Sequence, residues 1–122
     1  MVKEIEFYKN GNIKYDGNFV NGKYEGDGKY IDKNGEYYIG QWLNGLKHGK
    51  GIVLYKNGTI MYDGNFVNDE REGDGKYIDK NGNYYIGQRL NDDKHGKGIL
   101  YYKNGKIKYD GEFVNGKYLN KV

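Results

Sequence analysis

Cysteine, proline, alanine and serine are all absent from this 122-residue chain, and Thr59 is its one threonine. Without cysteine there is no disulfide framework, no thiol nucleophile and no thiolate metal site. Without serine as well, covalent catalysis has little to build on. No segment approaches the ~18 consecutive apolar residues of a membrane-spanning helix. The first twenty residues, MVKEIEFYKNGNIKYDGNFV, are charged throughout and lack the apolar core of a secretory leader, so a cytoplasmic location is expected. A dominant charge is missing too. The 20 basic and 17 acidic residues are intermixed and leave a net charge of +3, which gives no reason to expect nucleic acid as a partner.

What the chain does contain is aromatic and turn-forming. Leu, Ile, Val and Phe total 26, near the lower limit for a folded domain, but 15 Tyr and one Trp add broad apolar surface. Lysine outnumbers arginine 18 to 2, and 15 Asn and 10 Ile accompany it, as an AT-rich coding sequence would give. Glycine needs GC-rich codons and still occurs 21 times, so most glycines, Gly28 among them, are expected to be structurally required.

The residues repeat. Positions 15–61 return as 62–108 with 36 of 47 identical, and each unit splits again at Tyr15, Tyr38, Tyr62, Tyr85 and Tyr109, a spacing of 23, 24, 23, 24. A period in this range marks a repeat architecture in which each small unit stacks on its neighbours. One domain over 1–122 is expected, with a partial repeat at 3–14, repeats at 15–37, 38–61, 62–84 and 85–108, and a partial one at 109–118.

Within each unit the side chains alternate with period two. Tyr15, Gly17 and Phe19 face one way; Asp16, Asn18 and Val20 face the other. A second strand is expected over Gly28–Tyr30, after a six-residue turn segment at 21–26 that recurs at 44–49, 68–73 and 91–96. Asn-Gly pairs at 10–11, 34–35, 57–58, 81–82 and 104–105 are hairpin signals. The chain is therefore expected to be all-β, an elongated, curved, single-layer antiparallel meander of about ten strands, roughly 45 Å long at ~4.8 Å per strand. The 23/24 alternation predicts two turn types: three-residue turns at Lys33-Asn34-Gly35 and Lys80-Asn81-Gly82, and two-residue turns at Asn10-Gly11, Asn57-Gly58 and Asn104-Gly105. Pairing Val20 with Asp27 sets Phe19 across from Gly28 and Gly17 across from Tyr30, so that aromatic rings cover facing glycines.

The unit Y-x-G-x-F/W-x-N-G-x-x-x-G-x-G, present as YDGNFVNGKYEGDG (15–28) and YIGQWLNGLKHGKG (38–51) and less perfectly at 62–75 and 85–98, resembles the MORN repeat. The resemblance covers about residues 8–118. It implies β-hairpin units in an elongated sheet, with structural roles for Tyr15, Gly17, Phe19, Gly28, Tyr30, Tyr38 and Gly40, and for Tyr62, Gly64, Phe66, Tyr85, Gly87, Tyr109, Gly111 and Phe113. It also implies an interaction module, scaffold or dimerisation arm, with phospholipid contact in some members. Arg89 departs from the aromatic of the pattern, and Asp69 and Asp92 from its turn glycine, which marks those copies as looser or more specialised.

The remaining motifs favour a non-catalytic reading. His48 and His95 lie four strands apart, roughly 19 Å, too far to share a metal. GDGKY and KHGKG recur with the repeat and lack a GK[ST] signature, and Asp16, Asp27 and Asp32 recur in strands and turns, suited to cross-strand pairing. No cofactor is expected. Lys29, Lys50, Lys76 and Lys97 share a face and suggest a peripheral, anionic phospholipid surface as an alternative, diluted by Asp27 and Asp74. Carbohydrate stacking on exposed rings is a further alternative. The differences between the two units point to a protein partner: Tyr24, Trp42, Leu46, Leu54 and Met61 in the first stand where the second has Arg71, Arg89, Asp93, Tyr101 and Lys108. Exposed residues of these types anchor interfaces, so a partner-binding surface centred on Trp42, or a homodimer, is expected.

Overall fold

The computed structural model describes residues 1–119. Eleven antiparallel strands form one open sheet in strict chain order: β1 (Val2–Phe7), β2 (Ile13–Val20), β3 (Lys23–Ile31), β4 (Tyr37–Leu43), β5 (Leu46–Leu54), β6 (Ile60–Val67), β7 (Glu70–Ile78), β8 (Tyr84–Leu90), β9 (Asp93–Tyr101), β10 (Ile107–Val114) and β11 (Lys117–Tyr118). Among the described residues there is no helix, and each strand touches only its sequence neighbours in quantity, as a repeat ribbon must.

The three-residue turns expected at Lys33-Asn34-Gly35 and Lys80-Asn81-Gly82 are present, but the two-residue turns are not where the spacing placed them. All five Lys-Asn-Gly turns are alike. Asp32 N–H donates to the Glu36 carbonyl (2.9 Å) and Gly35 N–H to the Asp32 carbonyl (3.1 Å), and the same pair of bonds closes the turns at Tyr8, Tyr55, Asp79 and Tyr102. In each, glycine alone has positive φ, which makes a three-residue loop with a glycine bulge; a two-residue type I′ turn needs positive φ at both central residues. The two-residue turns at Asn10-Gly11, Asn57-Gly58 and Asn104-Gly105 are therefore corrected. True two-residue turns lie at the opposite edge: Asn21 and Gly22 have φ of 51° and 77°, and Asn44-Gly45, Asn68-Asp69, Asn91-Asp92 and Asn115-Gly116 are built the same way.

The odd residue of the 24-residue spacing sits inside a strand instead. Val53 pairs with Tyr62 and Leu54 with Ile60, so Met61 bulges out; Lys108 does the same between Tyr109 and Ile107. One residue is still needed to keep every tyrosine on its face, but the strand absorbs it.

The expected six-residue turns are also corrected. Val20 pairs with Lys23 and Phe19 with Tyr24, and the register then jumps to Gly17–Gly28. Glu25, Gly26 and Asp27 bulge opposite Asn18, whose side-chain amide donates to the Asp27 carbonyl at 3.1 Å. The next hairpin repeats this: Gln41 stands opposite the bulge at His48–Lys50, and its Oε1 accepts the Lys50 N–H at 3.0 Å. His48 and His95 thus occupy equivalent bulges of β5 and β9.

With this register, rows of like residues cross the sheet. Gly17, Gly28, Gly40, Gly51, Gly64, Gly75, Gly87, Gly98 and Gly111 pair in one unbroken line. Beside it runs Tyr15–Tyr30–Tyr38–Val53–Tyr62–Tyr77–Tyr85–Leu100–Tyr109. Each first-strand tyrosine folds over the glycines and donates to the carbonyl three residues on, Tyr38 to Gln41 at 2.8 Å and Tyr85 to Gln88 at 2.7 Å. The covering ring is thus the tyrosine two residues before the glycine, not the phenylalanine two residues after it.

These rings are the core. Tyr15, Tyr38, Trp42, Tyr62 and Phe66 form one buried cluster, with Tyr38 edge-on to Trp42 (5.1 Å between centroids) and to Phe66 (5.2 Å). Each such pair adds about 0.5–1.5 kcal/mol beyond area burial. A single layer thereby obtains a core on one face, because large rings lying on a glycine floor bury themselves without a second sheet.

Candidate interaction surface

The two faces differ in kind. Residues paired across neighbouring strands point to one side, so the register assigns every side chain to a face. The aromatic face carries the tyrosine and glycine rows, Phe19, Trp42, Phe66 and Phe113. The other, open face carries a row that reads Ile5–Asp16–Lys29–Ile39–Ile52–Asp63–Lys76–Ile86–Ile99–Asp110. Next to it run Ile31–Tyr37–Leu54–Ile60 and Ile78–Tyr84–Tyr101–Ile107.

The five candidate partner residues do not form one site. Trp42 is only 6% exposed; it packs edge-on against Tyr15 and Tyr38, and its Nε1–H donates to the Gly28 carbonyl at 3.1 Å. The expectation of Trp42 as an exposed anchor is therefore corrected: even-numbered positions of β4 fall on the aromatic face, where the indole completes the core. Tyr24 stacks on Tyr15 with 3.8 Å between centroids, on that same face. Leu46 pairs with Leu43 and Leu54 with Tyr37, which places both on the open face, and Met61 is the bulged residue of β6. The surface centred on Trp42 is divided by the sheet itself.

In the second unit, Arg71 and Arg89 stand where Tyr24 and Trp42 stand in the first. Arg89 is 6% exposed and lies against the rings of Tyr62, Tyr77 and Tyr85 (5.4–5.7 Å). Its Nη1 donates to the Asp92 carbonyl at 2.9 Å, while its buried Nε has no partner among the described residues. Burial, then the neighbouring Arg71 charge, pulls the Arg89 guanidinium below its ordinary pKa; burial, Arg89 and Arg71 act likewise on Lys94. Arg71 Nε is 3.1 Å from Asp92 Oδ1, which also accepts the Arg71 backbone N–H at 2.7 Å.

The acidic turns are not looser. Gly45 N–H donates to the Tyr24 carbonyl, stitching its turn to the preceding hairpin, and Asp69 N–H and Asp92 N–H make the same bond to Lys47 and Arg71. The aspartate carboxylates add a second bond, Asp69 Oδ1 to Lys47 N–H at 2.7 Å, so these copies are clipped at two points.

Burial raises the phenols of the aromatic face. Desolvation leads in every case, lifting Tyr15, Tyr8 and Tyr55 to about 12 and raising Tyr38, Tyr62 and Tyr85 as well. The rings of Tyr15, Tyr38, Tyr62 and Tyr85 lie against glycine backbone and are fully buried, so they offer no face on which a sugar could stack.

The open face supplies what Trp42 does not. Ile39 is 46% exposed, Ile86 44% and Leu43 44%, uncovered by any second layer. Lys29 and Lys76 lie over the Tyr37 and Tyr84 rings at 4.6 and 4.8 Å. The period-two alternation of the sequence already places Ile39, Leu43 and Ile86 on this face, at positions the two units share.

The MORN repeat model matches residues 15–37, 38–60, 62–84, 85–107 and 109–118. The chain belongs to the MORN-repeat family. The matched segments skip Met61 and Lys108, the two residues that bulge from β6 and β10. MORN repeats are non-catalytic modules of protein or membrane interaction. A 46-residue stretch of the chain is also 48% identical to part of the "inactive protein tyrosine kinase pTKL" of Plasmodium falciparum (isolate 3D7). That stretch covers 38% of this MORN chain and 3% of the kinase-named protein.

Proposed function

We propose that the chain is a non-catalytic protein-interaction or scaffold module whose contact surface is the open face. The observation that carries this reading is the division of labour between the faces. The aromatic face satisfies itself, while the open face leaves Ile39, Leu43, Leu46 and Ile86 exposed in register with charged residues. An apolar strip rimmed by charge is the composition of a protein interface. Affinity capture from the source cell with the full chain and with Leu46→Lys/Leu54→Lys tests it. The variant is expected to keep its melting temperature and lose the captured proteins. A folded variant that captures the same set overturns the assignment.

A second reading, contact with an anionic phospholipid surface, is favoured by one observation. The five three-residue turns line one edge of the ribbon and bring Lys9, Lys33, Lys56, Lys80 and Lys103 to it, all exposed. Vesicle pelleting with and without anionic lipid checks this: salt-sensitive binding supports it, and equal pelleting in both ends it.

A further inference from the structure

We propose that the open face binds the open face of a second copy of this chain, about a two-fold axis parallel to the strands and running between β4 and β5. This choice of occupant rests on the open face being a protein-interaction surface.

Such an axis reverses the order of the strands and keeps each row over itself. Each row must then be complementary to its own reversal, and the central rows meet that condition, while at the tight-turn edge Val20 meets the partner's Glu70 and Lys23 the partner's Val67. At the axis, Ile39 meets the partner's Ile52, Leu43 meets the partner's Leu46, and Tyr37 meets the partner's Leu54. One step further out, Lys29 meets the partner's Asp63 and Asp16 meets the partner's Lys76. These correspondences come from the pairing register. The charges pair with opposite sign and the apolar residues pair with one another, because the row repeats as Ile-Asp-Lys-Ile.

The polar row beside it obeys the same rule. Gln41 falls opposite the partner's Lys50 and Asp27 opposite the partner's Asn65, so no like charges meet. Moving the axis to lie between β6 and β7 keeps the Asp–Lys matches but sets Asp27 against the partner's Glu112, two like charges. Of these two axes, the one between β4 and β5 is free of that like-charge contact. The result has an apolar centre and a charged rim, as interfaces do, and it covers residues that the single layer leaves exposed.

Lys29 and Asp63 lie on β3 and β6 and are not neighbours within one chain, so their pairing reports on the dimer alone. Sedimentation equilibrium is measured on the wild-type chain, on Lys29→Glu, on Asp63→Lys, and on a 1:1 mixture of the two variants. The wild type is expected at twice the monomer mass, and each variant dissociates at least about tenfold more readily because like charges now face each other twice. The mixture recovers wild-type affinity, since each variant supplies the charge the other needs, and a folding defect in either could not be repaired that way. A wild type that stays monomeric at about 100 μM, above the range of standard interfaces, overturns the dimer. So does a mixture no tighter than its components. Either result leaves affinity capture from the source cell to judge the interaction reading on its own.

Discussion

Tyr62 holds Gly75 to being a glycine: a Cβ at Gly75 would stand 2.5 Å from the phenol oxygen and 2.7 Å from Cε1 of that ring. The same ring closes over Gly64 on its own strand, so one tyrosine fixes two glycines on adjacent strands. Repeated at every hairpin, this relationship gives a one-layer sheet its core.

Gly75→Ala and Gly28→Ala are therefore expected to destabilise the fold by roughly 2–3 kcal/mol or more, since the ring must lift and lose its packing. Gly22→Ala, in a turn with open space around it, costs only the strain of positive φ, about 1 kcal/mol. Urea midpoints of the three variants check the order.

Deleting Met61 removes the bulge and leaves β6 paired with β5 as β4 is paired with β3, with Leu54 on Ile60 and Val53 on Tyr62. The deletion is expected to cost about 1 kcal/mol or less. Deleting Tyr37, where no bulge exists, turns Tyr38 out of the core and flips the rest of β4 with it, and no cooperative unfolding transition is expected. Circular dichroism melts distinguish the two.

Arg89 sits in a Trp42-like niche with a buried Nε that has no partner among the described residues. The double variant Arg71→Tyr/Arg89→Trp rebuilds the aromatic packing of the first unit and is expected to gain about 1–3 kcal/mol. A melting temperature unchanged or lowered would show that the guanidinium pair stabilises the second unit more than its burial costs.

Much of the fold was legible in the residues. Alternation around Tyr15-Gly17-Phe19 gives the strands and both faces, and the repeat gives the meander. The registers were not legible, because two kinds of irregularity hide in one count. Asn21-Gly22 makes a tight turn only if Glu25–Asp27 bulge, and that bulge depends on the Asn18 amide reaching across the strand. Likewise the extra residue at Met61 could enter a turn or a strand, and only the shared Lys-Asn-Gly geometry decides it. The burial of Trp42 is not legible in the sequence, because its divergence from Arg89 suggests exposure, whereas the niche accepts either side chain against the equivalent tyrosines Tyr38 and Tyr85.

Alkali is expected to unfold the chain. Tyr15, Tyr8 and Tyr55 titrate near 12 when folded and near 10 when unfolded, so the folded state holds more protons between those values. Stability is then full below pH 10 and falls as pH rises from about 10 to 12. Tyrosinate absorbance should show Tyr15, Tyr8 and Tyr55 ionising together with the loss of the folded circular dichroism signal.

The division between the faces is tested most directly by two adjacent residues, Tyr38 and Ile39, which point to opposite sides of β4 and are 2% and 46% exposed. Each is replaced by lysine, and melting temperature and protein association are measured on the same samples. Tyr38→Lys is expected to destroy the fold, while Ile39→Lys melts within about 0.5 kcal/mol of wild type and loses association. An Ile39→Lys chain that is folded and associates as the wild type does would contradict the account.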